Sequence, residues 1–225
     1  MHILVINVAA LAAGTALGCL LRKYVPKVLQ ENSMLYFAII TAVLGIRLIN
    51  RTASLSAVVI AFLLGGVVGH FLKLDLRLQS LPQKFSKEGT DTSTLLVGFT
   101  LFCLSTSGIL GAMDMGFSGD STMLITKAIM DFLAAVFLAA SSGWILMIIA
   151  IPLGVILFGF YFASSLLMPL LTEEMIGDFC SCGGMILMLN ALRIAKIKDP
   201  PVTDLIPALV FIFPISWLWM TYVGL

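Results

Sequence analysis

Eight long apolar runs take up most of the chain: residues 2–21, 34–50, 53–72, 93–113, 121–142, 144–170, 176–193 and 203–224. A helix of about 20 apolar residues crosses the ~30 Å hydrocarbon core of a bilayer. The runs therefore read as membrane spans, with 34–50 only marginally long enough. Composition agrees, since 60% of the residues are hydrophobic and 11% charged, against ~25% charged in a soluble domain. So little polar surface cannot cover the chain in water. The expected architecture is all-α, a polytopic transmembrane helix bundle of about eight spans. Spans and short loops use up the chain, so residues 1–225 read as a single integral membrane domain.

Lysine and arginine give the bundle an expected orientation, because they collect on the inner side of multi-span proteins. No positive charge precedes the first run, whereas Arg22, Lys23 and Lys27 follow it. That is the reverse of a cleaved signal peptide, although Ala16-Leu17-Gly18-Cys19 faintly resembles a lipoprotein box. The run reads as a retained span with the N-terminus outside. The inner loops then hold ten basic residues: Arg22, Lys23, Lys27, Lys73, Arg77, Lys84, Lys87, Arg193, Lys196 and Lys198. The outer side holds two, Arg47 and Arg51. This bias calls for an even number of spans and places both termini outside. The inner segment 73–92 alternates Leu74, Leu76, Leu78 and Leu81 with Lys73, Asp75, Arg77 and Gln79 up to Pro82, as a segment lying on the inner surface would.

The middle of the chain carries the chemistry. Lys127 and Asp131, four residues apart, share one face of the fifth span. Counted from Ser121 at ~1.5 Å per residue, Asp131 falls ~15 Å deep, near the midplane. A charge there costs at least ~2.5–3.5 kcal/mol and must face protein or water. Asp131 could bind a cation or a proton, with Lys127 balancing it or holding an anionic substrate; the alternative is a structural ion pair with Lys127 reaching outward. The fourth span supplies Ser105, Thr106, Ser107 and Gly108 at similar depth, as hydroxyls and free carbonyls for a polar ligand or as small residues for close packing. Asn7, Thr41 and Asn190 are lone polar residues of the first, second and seventh spans, each a ligand or an interhelical hydrogen bond. Asp120 reads as the N-cap of the fifth helix, after a turn made by Gly116 and Gly119.

Pro152 and Gly154 interrupt the long sixth run, and Pro207 and Pro214 the eighth; broken helices often frame transport sites. At an offset of 145 residues, Gly14 meets Gly159 and Leu44-Gly45 meets Leu189-Asn190. Spans one to three would then match spans six to eight as an inverted repeat around central spans four and five. Gly14–Gly18 and Gly65–Gly69 have the spacing of close helix contacts, within the chain or in a homo-oligomer.

Cys19, Cys103, Cys180 and Cys182 read as small apolar fillers, because no zinc-ligand spacing accompanies them. No motif calls for a cofactor, a metal or nucleic acid. Gly116-Phe117-Ser118-Gly119 spells the G-x-S-G of an intramembrane serine protease, but a nucleophile needs a base in reach. The expected topology puts His70 on the opposite side of the bilayer from Ser118, and His2 lies near the terminus.

Beyond these readings the chain resembles the YqgA-like bacterial membrane proteins, a family of unknown function called DUF554. The resemblance runs along nearly the whole chain. It rests on Ile6-Asn7 with Gly14 and Gly18, Phe102-Cys103, Gly108 to Gly111, Gly116-x-x-Gly119-Asp120, Lys127-x-x-x-Asp131, Gly183-Gly184, Leu189-Asn190 and Leu205-x-Pro207-Ala208. It implies a multi-span protein of the bacterial inner membrane and no particular substrate. The expected function is a secondary transporter or channel for a small solute or ion, not an enzyme. Its site would lie near the midplane at the fourth and fifth helices. A non-transporting scaffold is the alternative, with an intramembrane hydrolase behind it.

Overall fold

The computed structural model describes residues 2–23, 27–77 and 97–223. Among these residues all regular structure is helical: α1 (His2–Leu21), α2 (Lys27–Ile49), α3 (Leu55–Leu72), α4 (Thr106–Phe117), α5 (Thr122–Ser142), α6 (Ala150–Leu167), α7 (Glu173–Ile194) and α8 (Ile206–Tyr222). A π-helical turn, Phe99–Cys103, precedes α4. The 3₁₀ turns Gly143–Ile149 and Val202–Leu205 lead into α6 and α8. Seven helical stretches are long and apolar enough to cross a membrane, and Ala38–Ile49 of α2 is a shorter apolar helix. Leu78, Gln79, Leu81, Pro82, Lys84 and Lys87 of the expected surface segment lie outside the described residues.

Which residues face out and which face in agrees with a lipid solvent. Val5, Leu63, Ile151, Val155, Leu166 and Val210 are exposed, while Asn7, Thr41, Lys127, Asp131, Asp178 and Asn190 are buried. In water this distribution would be costly at both faces; in hydrocarbon it is the favourable one.

The chain forms two compact units. Unit 1 contains Met1–Phe37 and Lys87–Pro169, and its frame is a parallel crossing of α1 and α5. Asn7 donates to the Leu124 carbonyl at 3.1 Å. A Cβ on Gly14 would sit on the Phe132 carbonyl oxygen, and one on Gly18 on that of Val136. Glycine at both positions lets the two backbones touch, which is how helices gain dispersion energy where lipid removes the hydrophobic drive. α4 runs antiparallel to α5, with Gly108 against Lys127 and Gly111 against Leu124. It runs parallel to α6, with Gly98 against Leu146 and Gly116 against Tyr161 and Ser164. Gly116 is therefore a packing position in the last turn of α4 and not part of the turn expected from the sequence. Gly119 alone supplies that turn, with φ +80°.

Unit 2 contains Ala38–Ser86 and Leu170–Leu225. Here α3 and α8 cross antiparallel, with Gly65 against Ala208 and Gly69 against the backbone of Asp204. α2 and α7 also cross antiparallel, where a Cβ on Gly45 would stand 2.8 Å from the Gly184 carbonyl oxygen. Both expected small-xxx-small faces are thus filled from within the chain.

The prolines act at other places than their positions in the runs suggested. Pro152 lies in the first turn of α6 and Pro207 at the start of α8, where a missing N–H costs nothing. Only Pro214 sits inside a helix.

Added methyl groups test the two crossings. Gly14→Ala and Gly65→Ala should each destabilise the protein by about 1–3 kcal/mol through overpacking. Gly159→Ala, with no heavy atom within 4 Å of its Cβ, should leave the melting temperature in detergent unchanged or slightly raised.

Candidate functional site

The fourth span is discontinuous. After the π-turn the backbone breaks at Leu104 (φ −98°, ψ 15°), and Ser105 is extended (φ −67°, ψ 118°) before α4 begins at Thr106. A serine at this position usually accepts a bond from the first-turn amides. Ser105 does not; its Oγ lies 2.8 Å from Ser107 Oγ. The Ser105 carbonyl accepts from the N–H groups of Gly108 and Ile109. The amides of Thr106 and Ser107 fall in the first turn, which has no intrahelical acceptor. Thr106 is 2% exposed and its hydroxyl has no protein hydrogen-bond partner.

Lys127 Nζ and Asp131 Oδ2 are 2.7 Å apart on α5, with side chains 3% and 9% exposed. Glycine at 108 makes room for the lysine stem, since a Cβ there would stand 2.5 Å from Lys127 Cε and 3.5 Å from Nζ. The ammonium group therefore lies over the first turn of α4. Gly108 lies opposite Lys127 and Gly111 opposite Leu124, so the antiparallel register carries the break at Leu104–Ser105 to the level of Asp131. Cys103, the last residue of the π-turn, interacts electrostatically with both charges. The sequence paired Lys127 with Asp131 and anticipated the Ser105–Ser107 stretch beside them. The break itself had no proline to announce it.

The remaining expected residues are dispersed. Asn7 is fully buried on α1; its amide donates to the Ile3 and Leu124 carbonyls and its Oδ1 has no partner in the protein. Because Leu124 also packs on Gly111, Asn7 lies one turn from the ion pair. Thr41 and Asn190 are buried in unit 2. Asp120 is exposed; the N-cap position is Ser121, while Asp120 Oδ1 accepts from Thr122 N at 2.9 Å and Thr122 Oγ1 at 2.7 Å. These bonds hold its carboxyl below the usual carboxylate range. Ser118, the candidate nucleophile, donates to the Asp114 carbonyl at 2.9 Å within its own turn.

Unit 2 contains two polar clusters that the sequence reading missed. Asp178, fully buried on α7, accepts from Ala53 N (2.9 Å) and Ser54 N (2.7 Å) where α3 begins, and from Ser216 Oγ (2.6 Å) on α8. Thr52 Oγ1 donates to Ser181 Oγ beside it. At the other end of α3, Asp204 accepts from Asp75 N at 2.8 Å and lies 3.6 Å from His70 Nδ1. Thr203 donates to Asp75. Arg193 is not a loop charge: it is buried in α7 and pairs with Asp199 at 2.5 Å and Asp75 at 4.0 Å. Nor is Asp75 a surface residue of an interfacial segment, being 8% exposed. Asp178 and Asp204 fall just inside the ends of two apolar runs. A charge there is easily taken for solvated, and that masked both.

An all-helical body with apolar residues outside, buried charges inside and a broken span defines a polytopic membrane protein. The chain belongs to the family described as "Protein of unknown function (DUF554)", whose model matches residues 4–217. It is 34% identical over 227 residues to the "Uncharacterized protein YqgA" of Escherichia coli (strain K12), covering 96% of this chain and 97% of that protein. It is 27% identical over 213 residues to the "Uncharacterized membrane protein YdfK" of Bacillus subtilis (strain 168), covering 91% of each. No solved structure matches.

Breaking the pair from one side strands a buried charge. Lys127→Met or Asp131→Leu alone should destabilise by about 3–5 kcal/mol, and the double substitution should recover most of the loss. Thermal unfolding in detergent checks this cycle.

Proposed function

We propose that the protein is a secondary transporter or channel for a small solute or ion, with its site where the broken fourth span meets Lys127 and Asp131. The observation that carries this reading is an ion pair buried in a span at the level of a helix break. Ionisable residues within spans are rare and costly, and they commonly mark substrate or ion pathways and proton relays. Discontinuous helices give a transporter backbone dipoles in place of extra charges.

In this reading the chain crosses the membrane eight times, with both termini outside the bacterial inner membrane. Helix direction supports the count. α1 and α4 run antiparallel, because α1 is parallel to α5 and α4 is antiparallel to it. The segment between them must then start and end on the same side. α3 is long enough to cross, so α2 crosses too. The Lys/Arg bias supports the orientation, and it still stands at nine to two once the buried Arg193 is removed from the inner ten. The pairings also fit the inverted repeat of spans one to three and six to eight. The parallel pair α1–α5 has its counterpart in α6–α4, and the crossings α2–α7 and α3–α8 are antiparallel.

Alkaline phosphatase fused after Leu225 should be active and the same enzyme fused within residues 84–87 inactive; the opposite pattern would overturn the orientation. For transport, Asp131→Asn should abolish flux in proteoliposomes while the protein remains folded in the membrane. Unchanged flux in that variant rules out the site. A stable protein partner, with no flux of any small ion or organic acid, would favour a scaffold instead.

A further inference from the structure

The Lys127–Asp131 pair and the first turn of α4 together carry more positive than negative charge. The pair itself is neutral. The amino end of a helix adds roughly half a positive charge, and the ammonium group lies over that end, packed on Gly108. Two positive centres therefore face one carboxylate that is already paired at 2.7 Å. The carbonyl end of the π-turn Phe99–Cys103 meets the same break and offsets that half charge, so donors and not net charge select the ligand, and a carboxylate fits those present: the ammonium, the first-turn amides and the buried, unpartnered Thr106 hydroxyl.

An arriving carboxylate competes with Asp131 for Lys127. If it took the lysine and Asp131 stayed ionised, a buried carboxylate would be left unpaired, which proteins avoid by protonation. We propose that the protein binds a small carboxylate together with a proton: the carboxylate replaces Asp131 on Lys127, and the proton goes to Asp131. Release reverses both events, so the proton leaves Asp131 and the internal pair re-forms. The loaded and empty states are then both neutral at the site. This inference rests on the transport reading above and names its substrate class and coupling ion.

The groups facing the pair leave Asp131 as the proton acceptor. α1, packed on α5, carries His2 and the Cys19 thiol, with Arg22 and Lys23 just past its carboxyl end. On the side of the fourth span, Cys103 is the titratable group in electrostatic contact, and Asp114 lies three turns beyond the break, near the far end of α4. The 3₁₀ turn Gly143–Ile149 carries no ionisable residue.

Linkage makes the two ligands mutually cooperative: acid tightens carboxylate binding, and the carboxylate draws in a proton. The test uses purified full-length protein in weakly buffered detergent, with sodium formate, L-lactate and succinate as probes. A pH indicator reads proton uptake and a thermal shift reads binding. Wild type should take up about one proton per carboxylate bound. Asp131→Asn, a mimic of the protonated state, should bind with no proton uptake and no pH dependence. Lys127→Gln should lose binding. Gly108→Ala keeps both titratable groups but crowds the end of the lysine stem, and it should weaken binding while retaining proton uptake. Binding without proton uptake in wild type, undiminished binding in Lys127→Gln, or no binding of any of the three probes overturns the proposal. Proteoliposomes separate this inference from the transport reading. Flux of a cation, or of a carboxylate indifferent to a pH gradient, keeps the transporter and removes the coupling. Linked binding in detergent without flux keeps the coupling and removes the transporter.

Discussion

Backbone-to-backbone contact at glycine is the constraint on which the rest of this structure depends. Lipid is as apolar as leucine, so burying leucine against leucine gains little inside a bilayer. The helices are instead drawn together by proximity, and proximity requires the absence of a side chain. Gly14 and Gly18 bring α1 onto α5, and Gly65 and Gly69 bring α3 onto α8. Gly108 extends the same device to chemistry, because the space it leaves is filled by a lysine side chain and not by another helix backbone. A methyl group there would press on the part of Lys127 that has to reach Asp131.

The two units hold their buried polar groups differently. In unit 2 the carboxylates of the two clusters are bonded to backbone amides, hydroxyls or a guanidinium, and those of Asp178 and Asp204 join segments distant in sequence. Those bonds fix the ends of α3. Unit 1 holds a serine at an N-cap that does not cap, a buried threonine hydroxyl and an asparagine oxygen without hydrogen-bond partners, and a lysine paired on its own helix. A buried polar group without a protein partner calls for an explanation, and a bound ligand is one.

Much of this was legible in the sequence, for physical reasons. The period and length of apolar runs report spans directly, and an i,i+4 lysine–aspartate pair must share a helix face. The structure gives 38–49 as the short apolar part of a longer α2, in keeping with the marginal 34–50 run. What was not legible depends on partners far away in the chain. Whether Asp178 is solvated or buried is decided by Ala53, Ser54 and Ser216, and no local pattern encodes that. Prolines misled for a related reason: Pro152 and Pro207 mark helix starts, while the break that matters, at Leu104–Ser105, contains no proline.

The bonds that hold α3 also set an order of events. Its amino end is capped by a residue made 124 positions later, and its glycine stripe is covered by Asp204, Leu205 and Ala208. During synthesis α3 is made long before Asp178, Asp204 and Ala208 exist. Unit 1, in contrast, has all its segments once residue 169 has been made. The start of α3 and its glycine stripe therefore lack these partners until nearly the whole chain has been made. Long-range closure of this kind is intrinsically slow. A chain that stops before α8 would hold a finished first unit and a second in which Gly65 has no Ala208 to close against.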